Sequence, residues 1–165
     1  YIDPRNKNLG AKIVSRVENT EKLLKNLSLE KVDKEKYYEK SFNLGIPQVN
    51  LDRLKDKIFG IENNLDELGG IDFKKGCYIG QENTSRIKLR NKLRKRILPV
   101  KKISGEIFEN DIIKYKDAEI GKIMIVKPYA FAFVKVVDPD INEFTNTDLT
   151  CGNSKVKILK PDWIK

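Results

Sequence analysis

The residue best placed to do chemistry in this sequence is a thiol. Cys77 lies in FKKGCYIGQENTSR, residues 73–86, directly after Lys74, Lys75 and Gly76 and three residues before Gly80. The following run, YIGQENTSRIKL, can form a helix with Glu82 and Arg86 at i,i+4 spacing. A cysteine near a helix start feels the positive end of the backbone dipole, and two lysines add to that field. Both effects favour the thiolate, the form that attacks electrophiles and binds metals. Gly76 and Gly80 let the backbone bend and approach a ligand closely. The plainer alternative is a buried structural cysteine, since free cysteines commonly behave as small hydrophobes. Cys151, in LTCGNS, has no basic neighbours and reads as packing or an incidental loop thiol.

Composition excludes much other chemistry. The 165 residues contain no histidine, so the chain cannot supply a Ser-His-Asp or Cys-His arrangement. Its two cysteines cannot close a four-ligand zinc site without carboxylates. Neither a GxxxxGK[ST] loop nor a GxGxxG loop occurs. Two cysteines far apart argue for a reducing compartment rather than a disulfide scaffold. No apolar run approaches the ~18–20 residues of a membrane span, and no secretory pattern opens the chain. It begins on Tyr1 rather than Met, the expectation for a fragment or trimmed chain.

Net charge is +9, which can steer anionic partners, although lysine is abundant throughout. Arg86 to Lys102 holds nine lysines or arginines and no acid. Phosphate contacts need such a patch. However, aromatic residues do not interleave with these charges in the sequence, no RNA-module motif is visible, and a solvated face is the ordinary alternative.

The elements that must hold these residues divide the chain in two. TEKLLKNL and DKEKYYEKSFNLG read as helices, with Asp33 as N-cap, Gly45 as the residue after the C-cap, and Pro47 beyond. DRLKDKIFG reads as a third helix, and NNLDELGG as a helical turn closed by Gly69 and Gly70. DPR and GIP read as turns. After about residue 92 the pattern becomes short β-rich runs: RKRILPV, DIIKYK, EIGKIMIV, AFAFVKVV and KVKILK. Ser104-Gly105, Asn110-Asp111, Pro128, Asp138-Pro139 and Gly152-Asn153 separate them, as in a small sandwich or barrel. The expected fold class is α+β.

KKGCYIGQENTSR resembles the K-G-C-Y-x-G-Q-E-x-x-x-R motif of the YgfZ family. These are folate-binding iron–sulfur maturation factors related to the aminomethyltransferase (T-protein) of glycine cleavage. NNLDELGGIDF, DPRNKNLG and GKIMIVKPYAFAFVKV resemble further family segments, so the likeness covers the family's C-terminal half. Asn91 departs from the pattern, standing where the family usually has glycine. The resemblance implies that residues 1–92 are the C-terminal portion of a T-protein-like folate-binding domain carrying the motif. Residues 93–165 would then be a small antiparallel β-barrel domain.

For function, the resemblance implies an accessory factor for assembling or repairing iron–sulfur clusters in client enzymes, tRNA-modifying ones included. Cys77 would be the functional thiol, with Lys75, Gly76, Tyr78, Gly80, Gln81, Glu82 and Arg86 carried over as its cofactor-binding surroundings. A cluster takes about four protein ligands. Cys77 would therefore bind iron only in a transient cluster shared with an A-type carrier protein. Tetrahydrofolate is the second implied ligand, its pocket incomplete in this chain. Glu82 and Arg86 equally suit an intrahelical pair. A monomeric, non-catalytic factor is expected, in a bacterial cytoplasm or alternatively the mitochondrial matrix. Two other readings stand beside it. One is a folate-dependent aminomethyltransferase-like enzyme, against which the cysteine argues, because T-protein chemistry calls for no thiol there. The other is a tRNA-binding protein.

Overall fold

The computed structural model describes residues 1–76, 79, 81–90 and 93–164. Cys77, Tyr78, Gly80 and Asn91, singled out from the sequence, lie outside the described residues. The second half forms six strands: β1 (Lys95–Ser104), β2 (Ile112–Tyr115), β3 (Ala118–Ile125), β4 (Ala130–Lys135), β5 (Leu149–Cys151) and β6 (Ser154–Ile158). They close into a barrel in the order β1-β4-β3-β2-β5-β6, every pairing antiparallel. This is the small antiparallel barrel expected from the sequence.

Side-chain alternation explains the closure. In AFAFVK of β4, Ala130, Ala132 and Val134 join the inner core with Leu98, Val100, Ile113, Ile120 and Ile158. Phe131 and Phe133 fall on the other face, in a second cluster with Ile97 and Met124. On β4, small residues thus face the interior and aromatics the outside. A short helix, α4 in full Ile141–Phe144, was not legible as such in DPDINEF. Asp140 caps it, accepting the Asn142 N–H at 2.8 Å, and Ile141 and Phe144 enter the barrel core.

Three helices precede it: α1 (Val17–Asn26), α2 (Lys34–Asn43) and α3 (Gln81–Leu89). The α2 caps follow the sequence. Asp33 accepts the Glu35 N–H at 3.0 Å, and Gly45 follows the C-cap Leu44 with φ +73°. Glycine is required there twice over, since a Cβ would sit 2.1 Å from Cγ of Pro161. The C-terminal tail is also tied down by Trp163, whose Nε1–H donates to the Leu44 carbonyl at 2.7 Å.

The expected third helix, DRLKDKIFG, is a correction. Only Leu51–Leu54 forms a 3₁₀ turn; Lys55 is extended and Asp56 has φ +59°. Tertiary ties override local propensity. Leu54 is buried against Ile97, Met124 and Phe131. Asn50 Nδ2 donates to the Lys127 carbonyl at 2.7 Å, and Arg53 pairs with Glu109 at 3.0 Å. A continuous helix could not satisfy all three anchors on the barrel's outer wall.

The DPR segment read as a turn is also an ion-pair centre. The Asp3 side chain is 1% exposed and receives Arg5 Nε–H at 3.0 Å and Arg5 Nη2–H at 2.7 Å. Lys12 Nζ lies 3.2 Å away, and Arg5 also donates to the Tyr37 hydroxyl at 3.1 Å, tying this loop to α2. The Arg5 hydrogen bonds hold the Asp3 carboxyl far below the usual carboxylate range, against the opposing pull of burial. The unfolded chain therefore binds more protons than the folded one below about pH 4. The pair's contribution is full above that pH and fades as pH falls through the range beneath it. Asp3→Asn is expected to cost about 3 kcal/mol at pH 7. Urea midpoints at pH 7, 4 and 2.5 check this: the wild-type advantage over Asp3→Asn should shrink toward pH 2.5, and a constant gap would contradict it.

Candidate functional site

The motif hangs between a polar turn and β1. Residues 61–70 wind through that turn, with the N–H of Leu68 bonded to Asn64 O and that of Gly70 to Leu65 O. Asn64 fixes it to the barrel. Its side chain is fully buried, with Nδ2 donating to the Ile97 carbonyl at 2.8 Å and Oδ1 accepting from Arg96 Nη1 at 3.0 Å. Arg96 also pairs with Glu67 at 2.5 Å, and the Ile97 N–H donates to Glu62 O at 3.0 Å. None of Asn64, Glu67 and Arg96 was singled out from the sequence as positioning the site. The available signal was an asparagine, a residue that tolerates positive φ, inside a polar turn; here φ is +61°.

From this anchor the chain turns at Asp72, whose carboxylate accepts the Lys74 N–H at 2.8 Å, and runs into α3. Helix α3 buries none of its side chains. Lys88 ties it to the preceding segment, pairing with Asp66 and lying over the Phe73 ring, 5.6 Å from the centroid. Glu82 and Arg86 do form the intrahelical pair, Oε1 to Nη2 at 2.6 Å, with side chains 84% and 54% exposed. Such a pair stabilises a helix by only about 0.3–0.5 kcal/mol. Lys75 and Gly76 are exposed and Gln81 is half-buried. Gly76 is not in the left-handed region, and a Cβ there would meet open space. Packing within the described residues therefore does not demand a glycine at 76.

Of the sequence-predicted groups, Lys75-Gly76 and the Glu82–Arg86 pair form an exposed ledge along the chain, with Gln81 between them half-buried. Cys77, Tyr78 and Gly80 lie outside the described residues. Among the described residues no group of three or more His, Cys, Asp or Glu could hold a metal ion. A cavity of about 580 Å³ opens elsewhere, lined by Phe42, Val100, Lys102, Phe108, Lys127 and Tyr129 among others, and by no motif residue.

The second thiol differs in kind. Cys151 is fully buried on β5 in the barrel core. Burial, with Asp111 second, pushes its pKa up to about 11. Cys151 is expected to resist iodoacetamide at pH 7.5 in the native chain and to label fully in urea. Peptide mass mapping distinguishes the two, and native labelling at Cys151 would show the barrel to be open.

Comparison with known proteins places the barrel. Residues 94–165 match the family model described as CAF17, C-terminal beta-barrel domain. The chain is 38% identical over 97 residues to the iron-sulfur cluster assembly factor IBA57 homolog, mitochondrial, of Neurospora crassa. That match covers 59% of this chain and 22% of the relative. The protein of the same name in Dictyostelium discoideum is 35% identical over 126 residues, 74% of this chain and 28% of the relative. The chain spans about a quarter of the length of these curated relatives. A 97-residue stretch of a 165-residue chain begins no later than residue 69 and ends no earlier than residue 97, so it takes in residues 75–86. The likeness therefore covers the motif ledge as well as the start of the barrel. No helix among the described residues is long and apolar enough to cross a membrane.

Proposed function

We propose that this chain is the C-terminal part of a factor for assembling or repairing iron–sulfur clusters, with Cys77 supplying a thiolate to a cluster shared with an A-type carrier protein. The observation that carries this reading is the similarity, through the motif, to relatives named as iron-sulfur cluster assembly factors. The cluster is cargo, in transit to client enzymes, tRNA-modifying ones among them. A single motif thiol suits that task, because the remaining ligands of roughly four must come from the partner. Lys75, Gly76, Glu82 and Arg86, its described neighbours in the motif, are exposed.

The division into residues 1–92 and 93–165 belongs to the same proposal, and so does the specific likeness to the YgfZ family. Supporting a larger first domain, Ile13, Val14, Val17, Leu27, Leu29 and Val32 along and around α1 are all more than half exposed, and α1 buries no residue. Apolar exposure on that scale is usual where a further surface packs.

Tetrahydrofolate does not fit the described motif residues by themselves. Glu82 and Arg86 occupy each other, and α3 buries none of its side chains, whereas a small-molecule site encloses most of its ligand. Folate binding is proposed only for the longer protein, and no chemical step is drawn through it. The relatives carry mitochondrial names, so the mitochondrial matrix replaces the bacterial cytoplasm as the proposed compartment.

The test is spectroscopic. The full-length protein, mixed under anaerobic conditions with a cluster-loaded A-type carrier, should change the visible circular dichroism of the cluster at a one-to-one ratio. An unchanged spectrum at excess protein would defeat the shared-cluster reading.

A further inference from the structure

The long basic run of the sequence is partly neutralised. Arg86, Lys88 and Arg96 are each spent on a carboxylate: Glu82, Asp66 and Glu67. A different group of cations is assembled by the barrel. Lys95 on β1 stands directly opposite Lys135 on β4, and Lys122 on β3 directly opposite Phe133 on β4. Lys95, Lys122, Lys135 and Phe133 line one shallow groove of about 170 Å³, with Glu119 its only acidic wall. Among the described residues, none of these three lysines has a carboxylate within 4.0 Å. The Lys95 ammonium instead lies 5.4 Å from the centroid of the Phe133 ring.

Like charges directly opposite each other destabilise a sheet. The neighbouring case on β1 shows the usual remedy: Lys101 faces Lys157, and Lys157 is neutralised by Asp148 at 3.2 Å. At Lys95 and Lys135 no such remedy is present. From this arrangement we propose that the outer face of β1, β4 and β3 binds single-stranded RNA, with phosphates on Lys95, Lys122 and Lys135 and a base against Phe133.

The ring decides between polyanions. Lysines alone would serve an acidic protein or an anionic membrane equally well. A half-buried aromatic ring that lines one groove with three lysines, one of whose ammonium groups lies over it, matches the stacking platform and basic groove of single-strand binders. A base displacing Lys95 from the ring frees that ammonium for the adjoining phosphate, so the cation–π contact is exchanged for stacking plus an ion pair. The sequence concealed this, because Phe133 lies 38 residues beyond Lys95 and meets it only through the β1–β4 register. This inference is independent of the proposed role of Cys77.

A fluorescent 12-nucleotide mixed-sequence RNA, followed by anisotropy with the 165-residue chain, tests it. With three phosphates neutralised, log K against log salt should fall with a slope of about −2. Lys95→Gln/Lys122→Gln/Lys135→Gln should weaken binding at least tenfold. The control triple Lys22→Gln/Lys25→Gln/Lys31→Gln, with the same loss of charge, should weaken it less than twofold. Phe133→Leu, which keeps apolar bulk, should weaken it at least threefold. The urea midpoint of the groove triple should equal or exceed that of wild type, since a like-charge opposition has been removed. Equal losses from both triples, or no loss from Phe133→Leu, would overturn the proposal. So would binding to polyglutamate, or to vesicles containing phosphatidylserine, as tight as binding to the RNA.

Discussion

Cys77→Ser is expected to abolish the change in cluster spectrum on mixing with the carrier while leaving the fold intact. A serine hydroxyl stays protonated at neutral pH and does not replace a thiolate on iron. The cost to stability should be small, within about 0.5 kcal/mol, because the change is nearly isosteric and the sequence neighbours Lys74, Lys75 and Gly76 are exposed. Two measurements separate binding from folding: visible circular dichroism of the cluster mixture, and the urea midpoint of the variant alone. Cys151→Ala serves as the contrast. It leaves a small cavity in the barrel core, so it should lower the urea midpoint without touching the cluster spectrum. If Cys77→Ser exchanges cluster as wild type does, the thiol is dispensable and the function rests elsewhere.

How far the sequence reached depended on whether a signal was local. The caps of α2 are written in Asp33 and Gly45, and the chain uses both as read. The barrel strands are written in short β-rich runs between turn residues, as AFAFVKVV is between Pro128 and Asp138-Pro139. The failure at DRLKDKIFG has the opposite cause. Its helix-forming residues are pinned by Asn50, Arg53 and Leu54 to partners as far as 77 residues away, which no local pattern shows. β5 is only three residues long, too short to show alternation, so Cys151 was read as a packing or loop thiol rather than as a strand residue. On the ledge, the i,i+4 spacing of Glu82 and Arg86 was enough to foresee their pairing. The hold of Lys88 on Asp66 and Phe73 was not visible, since the two sides come from segments that sequence spacing does not relate.

The same non-local logic makes Asn64 the residue whose loss should most disturb the ledge without touching it. Two demands meet there. The backbone is left-handed, at φ +61°, which costs a residue such as alanine about 1 kcal/mol and asparagine less. The buried side chain also satisfies the Ile97 carbonyl and an Arg96 N–H, and an orphaned buried partner costs about 1–3 kcal/mol. Asn64→Ala removes both supports and is expected to cost about 3 kcal/mol. Asn64→Gly restores the backbone freedom but not the hydrogen bonds, so it should recover roughly 1 kcal/mol of that loss. Asn63→Ala is the neighbouring control. Its buried Oδ1 has no hydrogen-bond partner among the described residues, so its removal should cost under about 1 kcal/mol. Urea denaturation gives the three values. Hydrogen exchange then reports the ledge: because Asn64 joins the turn before Asp66 to β1, Asn64→Ala should speed exchange in α3, which Lys88 ties to Asp66. Equal costs for Asn64→Ala and Asn64→Gly would mean that the left-handed backbone carries no strain. Unchanged exchange in α3 would mean that the ledge is positioned by something other than this asparagine.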